Sequence, residues 1–345
     1  MKKLRMAIIG SGQIARVTHI PNYQKMEDVE IVAVCDTNLS AARSLAEQFE
    51  IPEYFESHIE MLEAMKPDAV TICVPNKFHC QITLDALERG CHVLCEKPPA
   101  ITAGEAELME KTAAGKNLLL SYEFHFRHSE QAALLKEKIT NGEFGKIYNS
   151  RALWHRRRGI PGWGNFTNKN VQGGGPLIDI GVHMLDLGLY LLDYPKISYI
   201  CASSSDRIGK RGGVGLMGSW ESERFTVEDG LFGYIYFEDG TSMSLETSFA
   251  VNMKERDMRN IVLYGELLGA SVFPLELYGE EKGHLSNQSF PFTEIGDWHF
   301  VSEKNFVDAC LGREELLVTA KQGTYVQKVI CSLYESAESG KPVIL

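Results

Sequence analysis

Over roughly the first 120 residues, short apolar runs alternate with stretches of helical period, the pattern of strand and helix units in a parallel sheet. Residues 4–9, 30–35, 69–74 and 92–95 are mostly apolar or β-branched and predict buried strands, with 118–122 as a further candidate. Between them, 14–24, 40–48, 78–89 and 103–114 carry apolar residues at helical spacing. From about residue 123 the pattern changes. One helix is expected at 129–140, after which alternating strands dominate, and Asp239-Gly240 between two such runs marks a tight hairpin. Helical runs return at 176–192, 301–309 and 321–338. The expected fold class is α/β: an N-terminal doubly wound parallel sheet over 1–122, followed over 123–345 by a C-terminal α+β domain with a large, mostly antiparallel open sheet. No internal repeat is found.

Composition narrows the partners. The chain of 345 residues is 44% hydrophobic and 23% charged, ordinary for a globular protein, and its length suits two domains. A formal charge of -11 repels a phosphate backbone and an anionic lipid surface, so neither nucleic acid nor membrane is an expected partner. The basic start Met1-Lys2-Lys3-Leu4-Arg5 leads into an apolar run that stops at Gly10, too short for an export signal. With no apolar stretch near the ~20 residues that span a bilayer, a cytoplasmic protein is expected. Eight cysteines, most of them inside apolar runs, fit small buried side chains in a reducing compartment.

The turn after the first strand reads Gly10-Ser11-Gly12-Gln13-Ile14-Ala15. Gly10 permits a tight turn, Gly12 admits a pyrophosphate to the backbone, and Ala15 allows close helix packing, as in a Rossmann dinucleotide site. The helix start then offers the N–H groups of Gln13 and Ile14 to phosphate. Asp36 ends the second strand, where a carboxylate accepts from ribose hydroxyls and repels a 2′-phosphate, which favours NAD over NADP. The plainer alternative has Asp36 capping the next turn.

Two further blocks carry chemistry. Cys95-Glu96-Lys97-Pro98-Pro99 sets an ionisable pair at the carboxyl edge of the sheet, where ligands bind in such folds, with a cis bond at Pro98 as one way to stiffen it. Gly173-Gly174-Gly175-Pro176 then opens a helix on which Asp179 and His183 share a face at i, i+4. That face suits a substrate, a solvated surface or a pair of metal ligands. No further ligand completes a metal set, and no metal is expected. Trp163, in a glycine-rich loop, suits stacking on a pyranose, with Arg156, Arg157 and Arg158 beside it for hydroxyls or a phosphate. A basic surface loop around a packed tryptophan is the plainer reading. His155 and Tyr122 join as pocket candidates.

In this order, the glycine turn, Glu96-Lys97-Pro98 and the Gly-Gly-Gly-x-x-x-Asp-x-Gly-x-His-x-x-Asp block resemble the glucose-fructose oxidoreductase and inositol dehydrogenase family over essentially the whole chain. The resemblance implies catalytic roles for Lys97, Asp179 and His183, and a cofactor cleft lined by Asn76, His79, Glu96 and Lys97. It also implies an open sheet face buried in a homodimer or homotetramer. The segments from Arg158 to Lys169 and from Glu246 to Ala250 are similar to the bacterial branch that oxidises the C3 hydroxyl of glucopyranosides with NAD. Where the family often has Arg-Phe-x-Pro, this chain reads Phe126-Arg127-His128-Ser129, leaving Arg127 without an assigned role.

The expectation is an NAD-dependent enzyme that moves a hydride between a secondary sugar hydroxyl and nicotinamide. Histidine titrates near neutrality, so His183 suits the base, Asp179 orients it or holds a neighbouring hydroxyl, and Lys97 stabilises charge on the reacting oxygen. Alternatives are an inositol or sugar-phosphate dehydrogenase, an NAD-dependent glycosidase, a dinucleotide-binding sensor, and a metal-dependent isomerase.

Overall fold

In a computed structural model, residues 3–293 and 296–345 are described, so Met1 and Lys2 of the basic start lie outside the described residues. The chain forms two compact units, 3–125 with 297–327, and 126–296 with 328–345.

The first unit is built on six parallel strands: β1 Leu4–Ile9, β2 Val29–Cys35, β3 Glu53–Phe55, β4 Ala69–Ile72, β5 His92–Cys95 and β6 Leu120–Tyr122. Their order β3-β2-β1-β4-β5-β6 is doubly wound, with the switch point between β1 and β4. β3 is three residues long on the sheet edge, with Glu53 and Tyr54 exposed, and shows no apolar run in the sequence. The helix His58–Met65, capped by Ser57, was likewise not expected from the pattern. The expected helix at 14–24 forms as a wide π-turn, Ala15–His19, running into an α-helix at Ile20–Gln24. A contiguous boundary at residue 122 misses one feature of this unit: helix Trp298–Cys310 returns to it and puts Phe306 and Val307 into the core with Met6, Ile8 and Leu45.

A buried polar knot lies inside this unit. His19 is 1% exposed, with Nε2 lying 2.9 Å from Glu96 Oε1 and Nδ1 lying 2.7 Å from Glu303 Oε1. Burial disfavours charge on His19, yet its neighbours Cys73, Glu303 and Glu96 raise its pKa well above the ordinary 6.5. Burial raises the Cys73 thiol and the Glu303 carboxyl alike, so Glu96 is the partner whose negative charge the fold secures. Burial likewise works against Glu96, but the hydrogen bond and charge of His19, with the charge of Lys97, pull its pKa down to about 2.

The second unit carries nine strands: β7 Ile147–Arg156, β8 Ile197–Ser205, β9 Gly230–Phe237, β10 Ser242–Ser248, β11 Asp257–Gly265, β12 Gly269–Ser271, β13 Glu276–Glu281, β14 His284–Ser289 and β15 Val343–Ile344. They run β14-β13-β12-β11-β7-β10-β9-β8-β15, antiparallel throughout except where β7 meets β10. Asp239-Gly240 closes the β9 to β10 hairpin as the sequence predicts, with Gly240 at φ +85°. One face of the sheet is covered by helix Val182–Leu191; a Cβ at Gly188 would stand 2.7 Å from the Met243 methyl carbon, so β10 and the helix meet where a side chain is absent. On the other face Tyr148, Phe232, Tyr234 and Tyr264 remain exposed. No helix among the described residues is long and apolar enough to cross a membrane.

Arg127, which had no role in the sequence, proves structural. It is fully buried, its Nε donates to Asp186 Oδ2 at 2.8 Å while Nη2 reaches Oδ1, and the Tyr190 and Tyr194 rings flank the guanidinium at 5.2 and 5.5 Å. Asp186→Ala leaves this cation buried without its counter-charge and should cost about 3–5 kcal/mol in urea unfolding, while replacing Arg127 and Asp186 together by leucine should cost less. For Glu96 the sign runs the other way from a basic group. Because the fold depresses its pKa, its stabilisation is complete above the ordinary 4.5 and is lost as pH falls through about 2. Unfolding of Glu96→Gln followed across that range should show a flatter acid limb than the native chain; parallel limbs would remove Glu96 from the account.

Candidate active site

The nucleotide turn is shaped by what cannot fit. Gly10 sits at φ +108°, and a Cβ there would lie 2.3 Å from the Cys73 carbonyl oxygen, so only glycine passes between β1 and β4. At Gly12 a Cβ would meet nothing within 4 Å; this is the open approach that a pyrophosphate needs. Gln13 is exposed and Ile14 half-buried at the helix start. Asp36 is held in place by the chain itself: Oδ2 accepts from the Ser11 N–H at 2.8 Å and Oδ1 from the Asn38 N–H at 2.8 Å. Turn capping and ribose recognition are thus compatible, since each carboxylate oxygen keeps acceptor capacity.

Beyond β5 the Lys97-Pro98 bond is cis, the Lys97 N–H donates to Glu96 Oε2 at 3.1 Å, and the lysine side chain is partly exposed. Asn76 is half-buried in the turn after β4. His79 differs from the expectation of a cleft-lining polar residue. It is fully buried, with Nδ1 2.8 Å from the Pro98 carbonyl and Nε2 2.9 Å from the Val74 carbonyl, so it ties the two loops together. Tyr122, expected at the pocket, is fully buried, so close to the last helix that a Cβ on Gly323 would fall 2.1 Å from its ring.

The sequence did not single out His19, Glu303 or the neighbouring group of Glu123, His125 and His299. The ligand atoms of these last three lie within 4.8 Å of one another, and the two imidazoles stack at 3.7 Å. Such a set has the chemistry to hold a cation. Burial pushes the Glu123 carboxyl well above its ordinary range and keeps His299 below its own. His19 was visible as a histidine soon after the glycine turn, but its partners are distant in sequence.

On the second unit the triple glycine is required by packing. A Cβ at Gly174 would overlap the Tyr334 hydroxyl at 1.9 Å, and one at Gly175 would meet the Glu228 carbonyl at 2.2 Å. The Glu228 carboxylate in turn accepts from the N–H groups of Gly175 and Leu177 at 2.9 and 3.2 Å. The expected single helix at 176–192 is instead a π-turn, Leu177–Gly181, followed by α-helix from Val182. At Gly181 a Cβ would press on the Thr247 side chain at 2.8 Å, and Thr247 donates to the Pro176 carbonyl at 3.1 Å, so β10 fixes this entry. Asp179 and His183 straddle the change of winding, Asp179 in the π-turn and His183 in the α-helix. Asp179 is half-buried and His183 buried, its ring 5.2 Å from Phe126 and 6.0 Å from Trp154.

His155 follows Trp154 on β7 and faces the opposite side, paired with Glu246 at 3.2 Å and set against Phe232 at 5.9 Å. Arg156 lies over the Trp154 ring at 5.6 Å and 3.7 Å from Asp257. Arg158, at φ +61°, bonds to Asn252 at 2.8 Å. Trp163 is 54% exposed, edge-on to Phe166, and shares a cavity of about 200 Å³ with Trp220, Glu221 and Arg224. Lys97 belongs to the first unit, and Asp179, His183, His155, the arginines and Trp163 to the second.

Known proteins agree with this construction. The family described as an oxidoreductase family with an NAD-binding Rossmann fold matches residues 4–124, and the GFO/IDH/MocA C-terminal domain matches 132–269. The chain is 44% identical over 344 residues to D-glucoside 3-dehydrogenase of Escherichia coli (strain K12), spanning 99% of this chain and 97% of that one. It is 33% identical over 197 residues to glucose-6-phosphate 3-dehydrogenase of Bacillus subtilis (strain 168), spanning 56% and 54%. Among solved structures, levoglucosan dehydrogenase in complex with NADH shares the fold, with a TM-score of 0.86 at 20% identity over 99% of both chains. The glycine turn, the strand order and the second sheet are those of one lineage, and the chain belongs to the NAD-binding GFO/IDH/MocA oxidoreductases.

Proposed function

We propose that this NAD-dependent sugar dehydrogenase oxidises the C3 hydroxyl of a glucopyranoside. The observation that carries the reading is the 44% identity to D-glucoside 3-dehydrogenase along nearly the full length of both chains. Gly10, Gly12, Gln13 and Ile14 would hold the pyrophosphate, Asp36 the adenosine ribose, and Asn76, Glu96 and Lys97 the nicotinamide end. When bound, NAD supplies the hydride acceptor for the reacting carbon.

The chain's own groups do the rest. His183 takes the hydroxyl proton, and the Phe126 and Trp154 rings beside it limit water around the imidazole. Asp179 holds a neighbouring hydroxyl or orients the ring, and Lys97 donates a hydrogen bond to the oxygen that gains negative charge. The exposed Trp163 face offers a stacking surface for a pyranose, with Arg156 and Arg158 as further substrate contacts, while His155 is turned to the other side of the sheet. A cytoplasmic homodimer or homotetramer belongs to the same reading, supported by the exposed aromatic face of Tyr148, Phe232, Tyr234 and Tyr264.

His183→Ala should lower turnover by ~10² or more while NAD affinity changes little. NADH formation should be seen with methyl glucosides ahead of inositols, and silence across all sugars and polyols would sink the reading. Asp36→Ala should weaken NAD about tenfold and narrow the preference over NADP, the size expected for one charge-assisted hydrogen bond. A native KM lower for NADP than for NAD would contradict the assignment.

A further inference from the structure

The second unit contains a cavity that the reading above touches only at Arg158. It measures about 520 Å³, and five cations line it: Arg157, Arg158, Arg211, Lys254 and Arg256. Three stretches of chain build it, the exit of β7, the loop ahead of β11, and the segment after the short helix Arg207–Arg211.

Its frame is set by main-chain bonds. The Arg157 N–H donates to the Arg256 carbonyl at 2.9 Å, and the Leu216 N–H to the Arg158 carbonyl at 2.8 Å. Two side chains are braced as well, Arg157 Nη1 on the Lys254 carbonyl at 3.3 Å and Arg158 Nη2 on Asn252 Oδ1 at 2.8 Å. Arg158 Nη1 is shielded from solvent and has no hydrogen-bond acceptor. Among the described residues none of the five cations forms an ion pair with a carboxylate. In a chain of net charge -11, such a gathering without counter-charge opposes itself by like-charge repulsion.

An anion relieves both the repulsion and the orphaned guanidinium nitrogen. Guanidinium forks match phosphate oxygens two at a time, and a lysine adds a point charge, so a phosphoryl group engages more of these donors than a carboxylate does. Val214 and Leu216 give the remaining wall an apolar side for a carbon skeleton. We propose that this cavity binds the phosphoryl group of a small organic phosphate. The assignment rests on the cavity alone and stands apart from the glucoside reading. The phosphate could be carried by the sugar that is oxidised or by a separate ligand that regulates the enzyme.

The probes are glucose 6-phosphate and inorganic pyrophosphate, with glucose as the uncharged control, titrated by calorimetry into the full-length protein. The variant is Arg211→Gln with Lys254→Gln, two exposed side chains outside the proposed catalytic set; its thermal melt establishes that it folds. The native chain should bind at least one phosphate probe, and the variant should bind it about tenfold more weakly or worse. If the substrate carries the phosphate, the variant raises the KM for glucose 6-phosphate and leaves that for a neutral glucoside. If a separate ligand carries it, pyrophosphate alters the rate of glucoside oxidation in the native chain and not in the variant. Equal binding by both proteins, no binding by either, or a change only in oligomer size would overturn the assignment.

Discussion

One buried imidazole governs the first unit. His19 lies between Glu96 and Glu303, and through it the helix after the glycine turn, the end of β5 and the returning helix Trp298–Cys310 meet at a single point. A charge this deep persists only when opposite charge is at hand, so the three segments cannot separate cheaply. The same Glu96 carboxylate receives the Lys97 N–H. The main chain of the proposed reactive lysine therefore inherits its position from a histidine outside the proposed cofactor and substrate sets. This is how a site gains precision: the outer contacts set the inner ones.

Much of this was legible in the sequence because the relevant physics is local. Buried parallel strands are apolar runs, and β1, β2, β4 and β5 read directly as such. Gly10 is dictated by the approach of one carbonyl, and the Asp-Gly hairpin by the sign of φ. What escaped is long-range. β3 takes its register from β2 and not from its own apolar content. The burial of Tyr122 and His79 is set by residues distant in the chain, by Gly323 for one and by Pro98 for the other.

The second unit repeats the lesson at its glycines. Two of the three consecutive glycines, Gly174 and Gly175, and Gly181 beyond them stand where another group already occupies the space of a Cβ. The segment carrying Asp179 is thereby stiff, and its wide winding is imposed by β10. Wide turns of this kind recur at functional positions because they re-aim side chains within a helix. The arginine triplet was equally visible in the sequence, but Arg211, Lys254 and Arg256 had to fold around it before it became a cavity.

The return of residues 297–327 to the first unit has a consequence for biosynthesis. Domains usually fold as they leave the ribosome, N-terminal first. Here every nucleotide-binding motif emerges early, yet Phe306, Val307 and Glu303 come only after the whole nine-stranded sheet apart from β15 has been translated. During that interval the nascent N-terminal sheet lacks part of its apolar cover, and His19 lacks one of its two carboxylates. Exposed apolar surface favours aggregation, so the order in which this fold is written lengthens the interval over which its first unit is open to it.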